Sequence, residues 1–489
     1  MYDLFGFDPS SYSIAISLFV RLLGAIYVIA YIPFLFQIRG LIGKDGILPV
    51  KTYLQSVKKS LGIRRFYYVP TLLWLNASDI ALFLLIWVGI VFGILLVFGV
   101  NLPIILLLLY VVQLSLISAG QEFLGFGWET LLAEMTIGAF LIVATVPYSM
   151  FGWIGLNVLL FRFHIQAGAS KLKSRDRSWR SLTALGYHYL TQPLPNTQAW
   201  FFHKLPMWFH KISVLFMFYV ELVVPFATFA PPIARLFVFT QFLALQFGIW
   251  FTGNLSYLNY LTVIFCVILL HNSYLEPIFG MPIQNLELSS IFWQILIGTL
   301  GACYLALQLM NLWHYFFPRK LFYNIIVQLE PVHLCYPHGI FAVMTTKRYE
   351  IIVEGSDDGK EWKEYQFYSK PGNLATRPKR VSPYQPRIDW QAWFLPFGPY
   401  VRQWWFQNFL IRLLQGSIPV ERLLKSNPFK EHPPKFIRAL IYDYEFTTVD
   451  EKRMTGNWWK RTLLGIYAPS IQLLTEQEST LLPQDFQNS

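Results

Sequence analysis

Residues 80–98 read Ile80-Ala81-Leu82-Phe83-Leu84-Leu85-Ile86-Trp87-Val88-Gly89-Ile90-Val91-Phe92-Gly93-Ile94-Leu95-Leu96-Val97-Phe98, a run without a single charged side chain. A helix rises about 1.5 Å per residue, so this stretch reaches across roughly 30 Å of hydrocarbon. The same test, applied outward from it, selects 14–36 (interrupted by Arg21), 102–117, 131–146, 153–166, 212–229, 234–251, 255–270 and 291–312. The expectation is therefore a mainly α polytopic membrane bundle of about nine spans. Composition agrees. The chain is 55% hydrophobic and only 14% charged, against about 25% charged in soluble domains. An ordinary cytosolic enzyme, a disordered chain, a collagen-like repeat and a disulfide scaffold are all excluded.

Beyond Tyr315 the character changes: charges and prolines become frequent and no run is long enough to span. Residues 325–327, 349–353, 362–368 and 436–446 read as strands, with Gly355-Ser356-Asp357-Asp358-Gly359 as a turn, and 401–414 has helical spacing. The expected division is a transmembrane bundle at 1–314, a soluble strand-rich α+β domain at 315–471 and a polar tail at 472–489. Residues 1–13 contain no Lys or Arg and do not read as a signal peptide. Cys266, Cys303 and Cys335 form no C-x-x-C pair, so neither a thioredoxin-type site nor structural zinc is expected. His333, Cys335 and His338 lack a fourth ligand at useful spacing, so no metal is expected there either.

The net charge of +11 reads first as membrane topology rather than as nucleic-acid binding. Lys44, Lys58, Lys59, Arg64 and Arg65 follow the first expected span, and Lys171, Lys173, Arg175, Arg177 and Arg180 follow the fifth. With nine spans both loops lie on the side of the C-terminal domain, whereas the opposite side offers Arg235 at a span's start. By the positive-inside rule that side is cytoplasmic.

Polar groups inside spans are costly and usually face a cavity or a partner. Gln121, Gly125 and Glu129 fall on one helical face near Trp128, the bland alternative being an interfacial helix touching water. His164, Gly168 and Lys171 share a face where small residues admit a neighbouring helix, the alternative being a lysine that snorkels to head groups. The string from Asp176 through Trp179, Arg180, His188, Tyr189, Gln192 and Asn196 is too rich in aromatic and hydrogen-bonding residues for a linker, and reads as an ordered loop over the bundle mouth. His210 and Glu221 share a face of the next span, as a candidate pair. Asn254 interrupts the following two.

Together these strings resemble the lipase maturation factor family: Gln121-x-Phe123 with Phe126-Gly127-Trp128-Glu129, Ala167-Gly168-Ala169-Ser170-Lys171-Leu172, Asp176-Arg177-Ser178-Trp179-Arg180, His188-Tyr189-Leu190-Thr191-Gln192-Pro193-Leu194-Pro195-Asn196, Thr252-Gly253-Asn254-Leu255-Ser256-Tyr257-Leu258-Asn259 and Gln385-Pro386-Arg387-Ile388-Asp389-Trp390. The resemblance implies a multi-span protein of the endoplasmic reticulum that assists folding and assembly of secreted lipases, its soluble domain in the lumen, against the loop charges. If the source is bacterial, it implies the inner or plasma membrane. A more distant likeness, to the transmembrane domain of vitamin K-dependent gamma-carboxylase, places Lys171 where that family has a catalytic lysine. The carboxylase's histidine partner has no counterpart near Trp128-Glu129.

Two functions follow. One is a maturation factor without enzymatic activity, binding a lipase-like client polypeptide, with no cofactor and no nucleic acid. The other is a membrane enzyme acting on a peptide or lipid in a bundle cleft, with Lys171 as base assisted by Glu129 or His188. Transport is weaker, since no inverted repeat is visible. The expected cleft is lined by Gln121, Trp128, His164, Trp179, Arg180, Tyr189, Gln192, Asn196, His210, Glu221 and Asn254, with Lys171 beside Glu129.

Overall fold

The computed structural model of the protein describes residues 8–100, 102–280 and 288–473. The expected polar tail therefore lies outside the described residues from 474 onward, as do the first seven residues. The described chain divides into two compact units.

The first unit, residues 8–36, 53–346 and 379–385, is helical. Its principal helices are α1 (Ser13–Ile42, of which residues 37–42 count with the second unit), α2 (Asp79–Val97), α3 (Pro103–Ala119), α4 (Gly127–Val143), α5 (Met150–Lys173), α6 (Ala184–Thr191), α7 (Met207–Leu222), α8 (Pro232–Thr252), α9 (Leu258–Cys266), α10 (Ile291–Phe316) and α11 (Lys320–Leu329). Among the described residues five helical stretches are long and apolar enough to cross a membrane: Pro9–Ile42, Asp79–Val97, Met207–Phe229, Pro232–Thr252 and Ile291–Phe316. A sixth arises if Leu258–Leu269 and Asn272–Phe279, bent by 105°, count as one span.

The expected count of nine spans is not confirmed by length and hydropathy. Helices α3 and α4 have only 17 residues each, and α5 carries Arg162, His164, Gln166 and Lys171 in its second half. α4 and α5 are mostly buried in protein, where polar side chains meet partners instead of lipid, as an all-round buried helix allows. Hydropathy registers apolar length, not what surrounds it.

Local chemistry starts and packs these helices. Ser78 caps α2 by accepting from the Ala81 amide at 3.3 Å, satisfying one otherwise orphaned N–H. Helices α1 and α2 meet backbone to backbone at Gly24 and Gly93. A Cβ on Gly24 would lie 2.5 Å from Gly93 O, and one on Gly93 would lie 2.7 Å from Gly24 O. Tyr27 and Tyr31 then reach into the bundle interior, bonding Thr136 and Gln113 at 2.8 Å each.

Residues 325–327, expected as a strand, lie in α11. The branched triplet favours a strand locally, but Leu321, Phe322, Ile325, Ile326 and Leu329 recur at the spacing of one helical face.

The second unit, residues 37–52, 347–378 and 386–473, is built on a four-stranded antiparallel sheet in the order β2-β1-β3-β4. The strands are β1 (Arg348–Ser356), β2 (Lys363–Glu364), β3 (Phe436–Phe446) and β4 (Trp459–Ile471). β1 pairs with β3 through Ile351↔Ile441 and Val353↔Ala439, and is buried almost throughout, as an inner strand must be. The expected strands at 349–353 and 436–446 are present. That at 362–368 shrinks to two paired residues, and β4 was not among those expected. Helix α12 (Trp404–Leu414) buries Trp405, Phe406, Phe409, Leu410, Leu413 and Leu414 along one face. The end of α1 belongs here, where a Cβ on Gly40 would lie 2.3 Å from Pro419 O.

Inside this unit sits a buried charge cluster. Glu350 forms ion pairs with Arg348 at 2.6 Å and with Lys370 at 2.8 Å, while Asp389 Oδ1 accepts the amides of Ser369 and Lys370 at 2.5 and 3.0 Å. Burial pushes the Asp389 carboxyl up to about 6, against the lowering pull of those amides and of the Lys370 ammonium.

Candidate functional site

Within the first unit, α5 holds the central residue, Lys171, in its last turn. The helix begins at Ser149, which accepts from the Gly152 amide at 3.3 Å. Its closing Lys171 and Lys173 complement the negative end of the helix dipole. One turn before Lys171, Gly168 lets α7 approach: a Cβ there would lie 2.7 Å from the Leu222 side chain and 3.0 Å from Glu221 Cβ. That close approach delivers a carboxylate. Lys171 Nζ donates to Glu221 Oε1 at 2.9 Å, to Glu221 Oε2 at 2.8 Å and to the Ala167 carbonyl at 3.0 Å. An ammonium has three protons, and here each has an acceptor. The pair is 6% exposed on both sides.

The chain then reverses at Arg175, with φ of +59°, and Asp176 caps the following turn. It accepts from Ser178 N at 2.7 Å and Ser178 Oγ at 2.6 Å, and from the Met344 amide at 2.9 Å. Burial raises the Asp176 carboxyl, but these donors overcome it and hold the group below the usual carboxylate value. Trp179 is buried, donates to the Phe341 carbonyl at 3.0 Å and places its ring 5.6 Å from Lys171 Nζ. Helix α6 brings His188 and Tyr189 to the same place. Desolvation, then the Lys171 charge, pushes the His188 imidazole down to about 4, so it is neutral at physiological pH.

These residues enclose a cavity of about 480 Å³ between α5, α6, α7, α8 and α9. Lys171, Glu221, His164, His188, Trp179 and Tyr189 all line it, and the remaining wall is mainly aromatic and aliphatic. Other expected residues build the frame instead. Gln192 donates to the Thr252 carbonyl at 2.9 Å. Asn196 caps the next turn through Ala199 N at 3.0 Å and donates to the Phe251 carbonyl. Asn254 donates to the carbonyls of Leu194 and Lys379 and accepts from the Val381 amide at 2.8 Å. His210 packs its ring 5.6 Å from that of Tyr189 and does not pair with Glu221, which Lys171 occupies.

Four expected residues, Glu129, Gln121, Trp128 and Arg180, do not line the cavity. Glu129 is not the carboxylate beside Lys171. It is buried at the start of α4, where it accepts from the Phe126 amide at 2.8 Å and from Trp128 Nε1 at 3.1 Å. A carboxylate at a helix N-terminus is already stabilised by the dipole, and its place in the first turn of α4 leaves it with local donors. Gln121, in a turn of positive φ, and Trp128, which also donates to Gln385 Oε1 at 3.1 Å, belong with that corner and not with the cavity. Arg180 is exposed.

A second polar centre escaped sequence reasoning. Glu134 of α4 forms an ion pair with Arg162 of α5, both fully buried. Arg162 also donates to Asn311 Oδ1 at 2.9 Å and to the Tyr336 carbonyl at 2.7 Å. Glu134 accepts the Tyr336 amide at 2.9 Å, Gln166 accepts the His338 amide at 3.1 Å, and Asn311 donates to the Cys335 carbonyl at 2.8 Å. Residues 335–338 are thereby strapped into the helical unit, although composition assigned them to the soluble domain. Opposite charges inside neighbouring helices were the available signal. Their backbone partners were not.

Comparison with known proteins finds two family models in this chain. A family model described as the lipase maturation factor transmembrane domain matches residues 14–277, and one described as the lipase maturation factor C-terminal domain matches residues 334–469. The chain is 31% identical to Lipase maturation factor 2 of Mus musculus, over 96% of this chain and 84% of that protein. It is 30% identical to Lipase maturation factor 2 of Homo sapiens over the same shares, and 31% identical to Lipase maturation factor 1 of Bos taurus over 92% and 88%. No solved structure matches.

Proposed function

This chain belongs to the lipase maturation factor family, and from that premise we propose that it is a membrane-embedded factor assisting the folding and assembly of a client lipase. In a eukaryotic cell its place is the endoplasmic reticulum membrane, where secreted lipases fold. The observation that carries this reading is the ordered match of both family domains to one chain whose apolar helices make it an integral membrane protein.

The alternative, Lys171 as a general base, fits the geometry less well. A base must present a lone pair, which here requires losing a proton that bonds Glu221 or Ala167. Two carboxylate oxygens and a carbonyl already engage its three donor positions. The lysine is better suited to joining α5 to α7 at the cavity wall.

The test is complementation. In cells lacking their own lipase maturation factors, co-expression of this chain with a secreted lipase should raise lipase activity in the medium per lipase molecule synthesised. Unchanged secreted activity, with this chain expressed and inserted, would overturn the proposal.

A further inference from the structure

The cavity beside Lys171 is larger than that residue's own chemistry requires. Its 480 Å³ falls in the range of small-molecule sites, roughly 300–1,000 Å³. Phe163, Phe202, Phe209, Ile212, Leu245 and Ile249 supply an apolar wall. Two of its walls, α7 and α8, lie within stretches long enough to cross a membrane, so the surrounding bilayer is the natural source of an occupant.

Two buried polar atoms in the lining have no partner, and both accept. His164, 2% exposed, stacks flat on Phe242 with ring centroids 3.6 Å apart. Its Nδ1 lies 3.0 Å from the Leu160 carbonyl, which can only accept, so the neutral ring carries its proton on Nδ1 and leaves Nε2 as a bare lone pair. Asn259, 3% exposed, donates through Nδ2 to Gln246 Oε1 at 2.8 Å, while its Oδ1 is unpartnered. Buried acceptors of this kind are normally satisfied. The lining's one cation and one carboxylate, Lys171 and Glu221, satisfy each other.

We infer that this cavity binds a single-chain neutral lipid whose head group carries a free hydroxyl, donated to His164 Nε2 or Asn259 Oδ1. An anionic head finds no unpaired cation in the lining, and a cationic head no unpaired carboxylate. A head without a donor leaves both acceptors bare. The inference stands independently of client maturation, because it concerns what fills the helical unit and not what the chain assists.

The experiment measures binding of tritiated oleyl alcohol to the purified full chain in detergent, in competition with oleyl methyl ether, which keeps the chain and loses the donor. Oleyl alcohol should bind saturably, one per chain, at least tenfold more tightly than the ether. In His164→Phe combined with Asn259→Leu, affinity for the alcohol should fall to that for the ether. Equal affinity of wild type for alcohol and ether would overturn the inference. So would tighter binding of oleate or of an alkyl trimethylammonium, or a tenfold alcohol preference that survives the double substitution. Should the double variant fail to fold, the wild-type comparison of alcohol with ether decides alone.

Discussion

Glu221, fifty residues beyond Lys171 in the chain, sets both carboxylate oxygens within 2.9 Å of the lysine ammonium. The pair is held in a mainly apolar wall that offers no second cation or carboxylate, so each charge depends on the other. Removing one partner of a buried pair typically costs about 3–5 kcal/mol, because the survivor is left uncompensated, whereas replacing both is often neutral. Lys171→Met should therefore lower the thermal midpoint of the purified protein markedly, and Lys171→Met with Glu221→Leu should recover most of the loss. Lys173, exposed at the helix end, should tolerate Met with little change. A double variant no more stable than Lys171→Met alone would show that the pair is not the source of the effect.

The same logic applies to the Glu134–Arg162 centre, with a different readout. Arg162→Met removes donors from Asn311 Oδ1 and the Tyr336 carbonyl and strands Glu134 in the interior. Residues 335–338 should then loosen. Cys335 is 4% exposed and should resist a membrane-permeant maleimide in a Cys303→Ser background, but label in the same background carrying Arg162→Met. Equal labelling rates in both would refute the strap.

Legibility in the sequence divides along physical lines. Apolar length was readable, so the long helices α1, α2, α7, α8 and α10 were anticipated. Their expected number, nine, is not confirmed: five or six stretches among the described residues are long and apolar enough, and α4 and α5 carry polar groups that meet protein partners. Strands β1 and β3 were readable from alternation beside a turn, while β4 was not, its exposed Leu463, Leu464 and Ile466 giving no clean two-residue period. Lys171, His164, His188, Trp179 and Tyr189 were readable as polar or aromatic groups in costly places. Partner choice was not: Glu129 and Glu221 are equivalent on paper, and the close approach permitted by Gly168 decides between them.

Acidity should act on the second unit through Asp389. Its folded carboxyl titrates near 6, above the unfolded value of about 3.9, so the folded state holds the proton more tightly. The stabilisation is complete below about pH 4 and is lost as pH rises through 6, by on the order of 3 kcal/mol for this group. Asn keeps an oxygen for the Ser369 and Lys370 amides and cannot ionise. Hydrogen exchange of β1 in the full chain should slow between pH 6.5 and 4.5, after correction for intrinsic rates, and Asp389→Asn should flatten that difference. A wild-type difference unchanged in Asp389→Asn would assign it to another group.

Thiol chemistry should be dispensable to lipase maturation. Cys266 and Cys335 are buried and unbonded, and Cys303 lies apart from both in sequence. Changing all three to Ala removes the thiols while adding no polar group to the interior. Secreted lipase activity in the complementation assay should stay within about twofold of that with the native chain, the effect of a few tenths of a kcal/mol. A well-expressed Cys-free protein that no longer supports the lipase would implicate a thiol directly.

The contact between α1 and α2 gives the sharpest test of the helical unit, because it sets backbone against backbone. A Cβ on Gly24 would lie 2.5 Å from Gly93 O and 2.7 Å from Leu96 Cβ. A carbonyl in the middle of a helix cannot turn aside as a side chain can. Gly24→Ala must separate the helices, and overpacking of this kind typically costs about 1–3 kcal/mol. Gly298, in α10, has nothing within 4 Å of the position its Cβ would take. There the same substitution gains helix propensity, about 1 kcal/mol at most. The two Gly→Ala changes should thus shift the thermal midpoint in opposite directions, Gly24→Ala downward and Gly298→Ala level or upward. If Gly24→Ala were neutral, α1 and α2 could not be packed at the distance seen here, and the placement of Tyr27 and Tyr31 in the bundle interior would fall with it.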